Sequence, residues 1–536
     1  MKNLKLNKFI PCNAACPVEC EHYSIGTCPV ECENYYMGEP ISLGLNRLNR
    51  PNQPNQPNKR TAGELQYRNV YSYIRSALCS LRYAFDISAS NLKHFPNAML
   101  YALCALLLWI PSIVHAELGD LFKYFRPYIA VQEEYNSNID LTPTNRREDY
   151  ITTVSPGLRF STLPRSEVTR AQQAPSAEQK FGMDLDFNAG FVFYAREEDN
   201  NYTSLNGSLN AWYSFNPKLS FRVRDYLIRS DDIREADFSA TAIEGQTLIS
   251  RTTRRVPYYR NVVEPSVEYR FGKENTFGIN YRNNTYRIRS DLFEDSMENN
   301  INPRLTYWFN IRNGITLDYG FTLGDFERTP DFVGHAVTGR YTYRFNPRTS
   351  VFGEYTYLLR DFEPPSNDYD VHRPSLGISH SFSPTLSGSA QAGYYWQNPE
   401  RGSTTDGVFY DVSVAQRAQN TTYTFSFQGG YSEDFFTAEN LGFTKYYRAI
   451  GRVNHQLLEK TTVGLFSSYE WIKYYGDVVE TPRRIDHIWA VGGDAAYQLF
   501  RWLTLSLEGS YRENHSNFDT ADYTEYRGIF RITASF

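Results

Sequence analysis

The last ten residues, RGIFRITASF (527–536), alternate apolar and polar side chains up to the final residue. One face of this stretch carries Gly528, Phe530, Ile532, Ala534 and Phe536. A period of two predicts a β-strand. Because chain ends are usually polar and frayed, this apolar end indicates that another segment of the chain pairs with the terminal strand.

The same alternation recurs along the chain, and each occurrence opposes one apolar set of side chains to one polar set. The clearest stretches are residues 181–193, 205–215, 315–323, 337–345 and 503–511. These patterns predict strands that are apolar on one side and polar on the other. The chain after residue 116 is therefore expected to be all-β.

The connections between these stretches alternate in length. Short turns occur near residues 215, 271, 309, 345, 382, 417, 457 and 499, and long polar loops, such as those near 229, 360, 397 and 474, lie between them. Outer-membrane barrels have short periplasmic turns and long extracellular loops. We predict a transmembrane antiparallel up-and-down β-barrel of about twenty strands, with eighteen as the other count. Residues 163–180 depart from the pattern, because a short turn is expected there.

A closed barrel requires the last strand to pair with the first. Unpaired backbone groups cost several kcal/mol each in lipid, so an open edge is excluded for a membrane-spanning sheet. The terminal aromatic strand is also similar to the C-terminal signal that barrel assembly machinery reads. We expect that machinery and outer-membrane lipid to be partners of this chain.

Composition excludes other classes of protein. The chain has 536 residues, a formal net charge of −5 and 16% aromatic residues. No basic arm or motif supports nucleic-acid binding. No run of about 18 apolar residues occurs after residue 116, which excludes helical membrane spans there. We expect no cofactor.

The amino-terminal part differs in composition. Residues 100–110 are apolar, and Val114, His115 and Ala116 follow Pro111. This pattern predicts a signal peptide at 99–116 with cleavage before Glu117, and a buried core helix is the alternative. We expect the barrel to occupy residues 117–536.

Residues 1–98 contain the near-repeats CPVECEHYSIGT and CPVECENYYMGE and the stretch RPNQPNQPN. All seven cysteines lie at or before position 104. Their CxxxC spacing is not that of usual zinc sites, and no metal site is expected. We interpret this region as a misassigned or disordered extension.

Phenylalanines stand immediately before several short turns and at the chain end. They are Phe215, Phe271, Phe309, Phe345, Phe382 and Phe536. Aromatic rings favour membrane interfaces, so these residues predict a periplasmic aromatic girdle. The alternative is that aromatic residues simply favour strands.

The polar faces predict the wall of a pore. The candidates are Asp184, Asp186, Arg222, Arg224, Asp318, Arg340, Arg344, Glu354, Arg448, Arg452, Glu508, Arg527 and Arg531. Both signs of charge are present, which suits a water-filled lumen. The alternative for any one of these residues is a scaffold role in a cross-strand ion pair.

Histidines are the remaining candidates for catalytic residues. His335, His372, His487 and His515 fall in or near the predicted outward loops. A hydrolase on a barrel would need a nucleophile, a base and an orienting group within reach. No triad pattern accompanies these histidines, so we expect no enzyme activity and no catalytic residues.

Two segments, RPYIAVQEEYNSNIDLTPTNRREDYITTVSPGLRFS (126–161) and RRIDHIWAVGGDAAYQLFRWLTLSLEGSYRENHSNFDTADYTEYRGIF (483–530), resemble the outer-membrane β-barrel porin type 2 family. The resemblance extends over residues 123–536. It implies a protein of the Gram-negative outer membrane that is associated with exopolysaccharide and capsule gene clusters. Export of such a polymer, with periplasmic export components as partners, is the implied function. The physical properties of a wide barrel, taken alone, favour the alternative of a passive diffusion porin for small hydrophilic solutes.

Overall fold

The computed structural model describes residues 124–162, 180–232, 255–290, 293–437, 440–475 and 483–536. The predicted signal peptide, the amino-terminal extension, all seven cysteines and residues 163–179 lie outside the described residues. Within the described ranges, no helix is both long and apolar enough to cross a membrane.

The described chain forms twenty strands and two 3-10 turns, at Glu198–Asn200 and Asp519–Ala521. The strands are β1 (Phe125–Asn136), β2 (Asp149–Ser161), β3 (Phe181–Tyr194), β4 (Tyr202–Asn216), β5 (Leu219–Ser230), β6 (Tyr258–Arg270), β7 (Thr276–Ile288), β8 (Ser296–Trp308), β9 (Asn313–Phe326), β10 (Phe332–Asn346), β11 (Thr349–Phe362), β12 (Tyr369–Ser383), β13 (Leu386–Pro399), β14 (Thr405–Ala418), β15 (Thr421–Asp434), β16 (Gly442–Leu458), β17 (Thr461–Tyr474), β18 (Ile485–Phe500), β19 (Leu503–Ser516) and β20 (Tyr523–Ser535).

Every strand pairs antiparallel with the next one along the chain, and β1 pairs with β20. In that closing pair Tyr128 lies opposite Ser535 and Asn136 lies opposite Arg527. The sheet therefore has no free edge, as lipid requires. The prediction of a twenty-stranded up-and-down barrel is confirmed.

The short turns are built by side chains that accept backbone hydrogen bonds. The Oδ1 atom of Asn216 accepts the amides of Lys218 and Leu219 at 2.8 and 3.0 Å. Asn310 and Ser383 do the same in the β8–β9 and β12–β13 turns. Such side-chain turns explain why Asn and Ser follow the turn phenylalanines. We assign this end of the barrel to the periplasm, as is general for outer-membrane barrels.

The strands extend further toward the opposite end than the sequence pattern indicates. The predicted loop beginning at residue 360 is partly strand, because β11 and β10 stay paired up to Phe362 and Phe332. Only residues 363–368 separate β11 from β12. Near this end charged residues such as Arg360 and Asp361 interrupt the simple apolar–polar alternation, while the backbone ladder continues.

Hydrophobic clusters lie at the extracellular ends of the strands. One contains Tyr226, Ile228, Tyr258 and Tyr286 of β5, β6 and β7. Another contains Leu358, Tyr369, Val371, Tyr395 and Phe443 of β11, β12, β13 and β16. The packed core of this protein is thus concentrated at one end of the barrel.

Candidate functional site

Register and exposure together assign the two faces of the barrel wall. Residues directly opposite each other in an antiparallel pair point to the same side of the sheet. Val337 is opposite Tyr357, and both share a face with Leu317 and Tyr355. Leu317, Val337 and Tyr355 are 43–47% exposed. This apolar, exposed face is the outer face, and the polar face encloses the lumen.

The register places all thirteen predicted pore-wall residues on the inner face. Asp318, for example, alternates with the outward residues Leu317 and Tyr319 on β9. Their role in conduction stays a prediction. What the structure adds is the set of contacts that each of them makes.

The most connected carboxylate of the wall is Glu354 on β11. Its side chain contacts Arg340 of β10 at 2.5 Å and Arg373 of β12 at 3.4 Å. Gln391 of β13 donates to the same carboxylate at 3.0 Å. One acid therefore joins four neighbouring strands.

Other inner-face charges pair across strands in the same way. Arg448 contacts Glu470 at 2.5 Å, and both are almost fully buried. Arg527 of β20 contacts Glu134 of β1 at 2.7 Å. This second ion pair crosses the seam that closes the barrel.

The remaining predicted wall residues with ion pairs contact acids or arginines of nearby strands or turns. These pairs are Asp186 with Arg159, Arg224 with Glu264, Asp318 with Arg304, Arg344 with Glu274, and Arg452 with Asp494. The partners were missed from the sequence, because a cross-strand neighbour is visible only once the register is known. Alternation alone could have placed Glu134, Arg304 and Glu470 on the polar face.

Four predicted wall residues make no ion pair within 4.0 Å among the described residues. Arg531 donates to the neutral Oε1 atom of Gln132 at 2.9 Å. Asp184 lies opposite Ser161. Among the described residues, Arg222 and Glu508 make no ion pair within 4.0 Å.

Aromatic rings also line the inner wall. The Phe352 ring lies over Gly377, where an added Cβ atom would come within 2.2 Å of the ring. Arg340 lies 4.4 Å from the ring centroid of Phe352, and Arg344 lies 3.5 Å from that of Trp308. Guanidinium groups over rings are favourable contacts, so the wall combines charge pairs with flat apolar surfaces.

The predicted girdle residues are all exposed, with Phe271 at 41% and the other five at 57–71%. The ladder shifts register around Phe215, Phe345 and Phe382, which indicates an extra residue at each of these turns. Such bulges redirect a side chain. The membrane-interface role of these rings stays a prediction.

These four histidines lie on strands, close to the extracellular ends. His335, His372 and His487 lie on β10, β12 and β18, and the Nδ1 atom of each lies 2.6–2.9 Å from a tyrosine hydroxyl. All three share the outer face with exposed apolar residues. His515 is near the end of β19, 3.9 Å from Asp522. These contacts position rings at the outer surface and assemble no nucleophile with a base.

Metal binding has no evident site in the described part of the chain. Among those residues, no group of three or more His, Cys, Asp or Glu could hold an ion. The cysteine-rich extension lies outside the described residues. The expectation of no metal stays a prediction.

A closed antiparallel barrel with an apolar outer face and a charged inner wall defines an outer-membrane β-barrel of porin-like fold. Residues 327–536 match the model of the family described as "Putative beta-barrel porin 2". This match confirms the family resemblance over the carboxy-terminal half of the barrel. No curated protein matches the chain.

Solved outer-membrane proteins of Pseudomonas aeruginosa are similar in fold. OpdK with vanillate is 8% identical, with 77% of this chain and 99% of that chain covered and a TM-score of 0.37. The siderophore receptor PirA is 10% identical, with 77% and 80% covered and a TM-score of 0.42. A variant of the ferric enterobactin receptor PfeA is 9% identical, with the same coverage and TM-score as PirA.

Proposed function

We propose that this barrel is a pore through which a hydrated extracellular polysaccharide crosses the outer membrane. The observation that carries the proposal is the inner wall, where most acids and arginines neutralise each other across neighbouring strands. Glu354 with Arg340 and Arg448 with Glu470 are examples. A wall of this kind offers many hydrogen bonds and few unpaired charges, so it can contact sugar hydroxyls without holding a polymer tightly.

The flat rings of the inner wall support the same substrate class. Phe352 and Trp308 lie on the lumen face beside arginines. Sugar rings present apolar C–H faces together with hydroxyls, so they suit a surface that alternates aromatic rings with charged groups. The resemblance to barrels associated with exopolysaccharide and capsule gene clusters points in the same direction.

A passive diffusion porin for small hydrophilic solutes is the second candidate. It is favoured by the family description as a porin and by the width expected for twenty strands, between the water-filled barrels of 16–18 strands and the plugged barrels of 22. Such a pore needs no polymer and no export partner.

Planar-bilayer conductance distinguishes the two candidates. The export pore is expected to be blocked by long glycans added on the periplasmic side, and a diffusion porin to conduct steadily in their presence. Arg340→Gln with Glu354→Gln should change the glycan block, and heat-modifiable migration on gels checks that this variant still forms a folded barrel. Constant conductance at every glycan length would contradict export.

Genetic and cellular observations provide an independent test. A neighbouring polysaccharide polymerase and chain-length regulator would favour export, as would loss of surface polysaccharide in a deletion strain. Normal surface polysaccharide in the deletion strain would favour diffusion. Periplasmic export components are the partners expected for export.

We also propose that residues 99–116 act as the signal peptide for this location. Amino-terminal sequencing of the outer-membrane form should then begin at Glu117. A mature form that retains residues 1–98 would contradict both the cleavage site and the interpretation of that region.

A further inference from the structure

The ribbon that joins β15 to β16 leaves the barrel wall. Pairing between β14 and β15 ends at Tyr410 and Gly429, but β15 stays paired with β16 up to Asp434 and Gly442. Residues 431–437 and 440–443 therefore form an extension of β15 and β16 that has no ladder partner on the β14 side. We call them the inward hairpin; residues 438 and 439 lie outside the described part of the chain.

The base of the inward hairpin packs on the inner faces of β12 and β13. The ring of Tyr431 lies 5.1 Å from that of Tyr395, and the ring of Phe443 lies 6.0 Å from that of Tyr369. Val371 and Tyr395 are 0% exposed. The hairpin thus lies inside the barrel and covers part of its wall.

A buried ion pair anchors the middle of the inward hairpin. Glu433 contacts Arg360 of β11 at 2.7 Å, with the two side chains only 14% and 10% exposed. The hydroxyl of Tyr369 also donates to Glu433 at 2.5 Å. Removal of one partner from a buried pair is strongly destabilising, so this contact fixes the hairpin against the wall.

The tip reaches β9 and β10, which are five or more strands away from β15. Phe435 and Phe436 lie 5.3 and 5.8 Å from the ring of Phe332. Phe436 also stacks 5.4 Å from Phe326. An aromatic cluster therefore fastens the far end of the hairpin.

Hydrogen bonds of Asn440 with Glu294 and Thr329, which we call the latch, complete the attachment of the inward hairpin. The Nδ2 atom of Asn440 donates to Glu294 at 2.8 Å and lies 3.0 Å from the hydroxyl of Thr329. Asn440 has a φ of 43° and Gly442 a φ of 66°. These left-handed positions suit Asn and Gly, and they turn the chain back toward β16.

We infer that the inward hairpin sets the size limit of the pore at its extracellular mouth. This inference rests on the proposed pore function but holds for either solute class. Packed β-layers are about 10 Å apart, so a ribbon on the inner wall from β9 to β14 narrows the opening by about that distance on this side. Phe435, Phe436 and Asn440 are the residues that hold this limit.

Cysteine labelling tests whether the hairpin covers the wall. Residues 117–536 contain no cysteine, so Val371→Cys provides a single thiol beneath the hairpin. We expect slow reaction with a membrane-impermeant maleimide, and much faster reaction when Phe435→Ala, Phe436→Ala and Asn440→Ala are added. Ser506→Cys, on the inner face of β19, is the control and should react equally in both backgrounds. Equal rates at residue 371 would overturn the inference.

Conductance tests the size limit itself. The same triple variant, without added cysteines, should show higher single-channel conductance and admit larger polyethylene glycols than the wild type. Thr329→Cys with Asn440→Cys, joined by a short bis-maleimide, should keep the wild-type limit. If the triple variant does not fold, Asn440→Ala alone replaces it in this conductance experiment. An unchanged size limit in a folded, conducting variant would overturn the inference.

The two proposals can fail separately. If the size limit widens in the triple variant but long glycans never block the wild-type pore, the proposal of polysaccharide export is wrong and the hairpin inference stands. If glycans block the pore while labelling and size limit stay unchanged, export stands and the hairpin inference is wrong.

Discussion

The backbone amide of Phe536 donates to the carbonyl of Pro127 at 2.9 Å. On the other side, the amide of Ser535 donates to the carbonyl of Trp502 at 2.7 Å, and the rings of Trp502 and Phe536 stack at 6.4 Å. The last two residues are therefore bonded to both neighbouring segments. This explains why the chain keeps a strand pattern up to its end.

Deletion of Phe536 should reduce the amount of folded barrel in the outer membrane several-fold. The deletion removes a backbone hydrogen bond at the closing seam, where unsatisfied groups are costly, and an exposed interfacial ring. Heat-modifiable migration on gels measures the folded fraction. Phe536→Tyr should fold like the wild type, and Phe536→Ser should fold poorly. Normal folding of the serine variant would show that the ring is dispensable.

Opposite faces of β12 should respond differently to the same substitution. Ile378 is outward and 44% exposed, and Ser379 points into the lumen. Arginine on the lipid face of a barrel costs about 2–4 kcal/mol near the bilayer centre. Ile378→Arg should lower the unfolding free energy by about this amount, and Ser379→Arg by far less. Equal losses of unfolding free energy in the two variants, measured by urea unfolding, would contradict the assignment of the two faces.

The buried ion pair between Arg448 and Glu470 should contribute more to the free energy of unfolding than the exposed ion pairs of the inner wall. Glu470 is 0% exposed and Arg448 is 7% exposed. Glu470→Gln leaves a buried guanidinium without its counter-charge, a change that typically costs about 3–5 kcal/mol. Arg448→Met with Glu470→Leu should recover most of this loss. A double-mutant cycle measured by chemical unfolding would reveal whether the two residues are coupled.

The sequence predicts the strands and their faces because a period of two is a local property. Arg340 and Glu354 could be assigned to the inner face from their own strands alone. The contacts of Glu354 with Arg373 and Gln391 could not be predicted, because register depends on turn lengths and bulges. The predicted loop at residue 360 was too long because polar side chains near Phe362 hide a ladder that continues.

The inward hairpin shows a different limit of sequence reasoning. Phe435 and Phe436 interrupt a polar connection, and this is the only local signal of their packing. Their partners Phe326 and Phe332 are about 100 residues earlier in the sequence, and the contact exists only because the hairpin leaves the wall. No periodicity in the sequence predicts that the inward hairpin leaves the barrel wall.

The unpaired charge of Arg222 should influence ion selectivity. It lies on the inner face of β5 and makes no ion pair among the described residues. Arg222→Glu should shift the reversal potential in a salt gradient toward cation preference, because field lines are focused in a charged channel. Arg229→Glu, on the outer face of the same strand, is the matched control. A similar shift in both variants would contradict a lumen position for Arg222.

Acidification should widen the pore through the latch at Glu294. Burial alone would raise the pKa of Glu294, but hydrogen bonds from Asn440 and Thr329 and from the backbone amides of Thr329 and Arg328 outweigh it and hold the pKa below its ordinary value of 4.5. A carboxylate with a lowered pKa stabilises the folded contact above that ordinary value, and the contribution is lost as the pH falls through the lowered pKa. The wild-type size limit should therefore be constant from neutral pH down to about pH 5 and widen below about pH 4.5.

The charged neighbours of the latch define the controls for this experiment. Arg328, Asp295 and Glu327 lie beside Glu294, and the hairpin has a second anchoring carboxylate at Glu433. Glu294→Gln removes the titrating group, so conductance and polymer exclusion in this variant should lose much of their change below pH 4.5. The Glu433→Gln variant still contains Glu294. It should therefore retain the part of the acid-induced widening that arises from protonation of Glu294. If Glu294→Gln leaves the acid response of a folded barrel unchanged, the response arises elsewhere and Glu294 does not control the mouth.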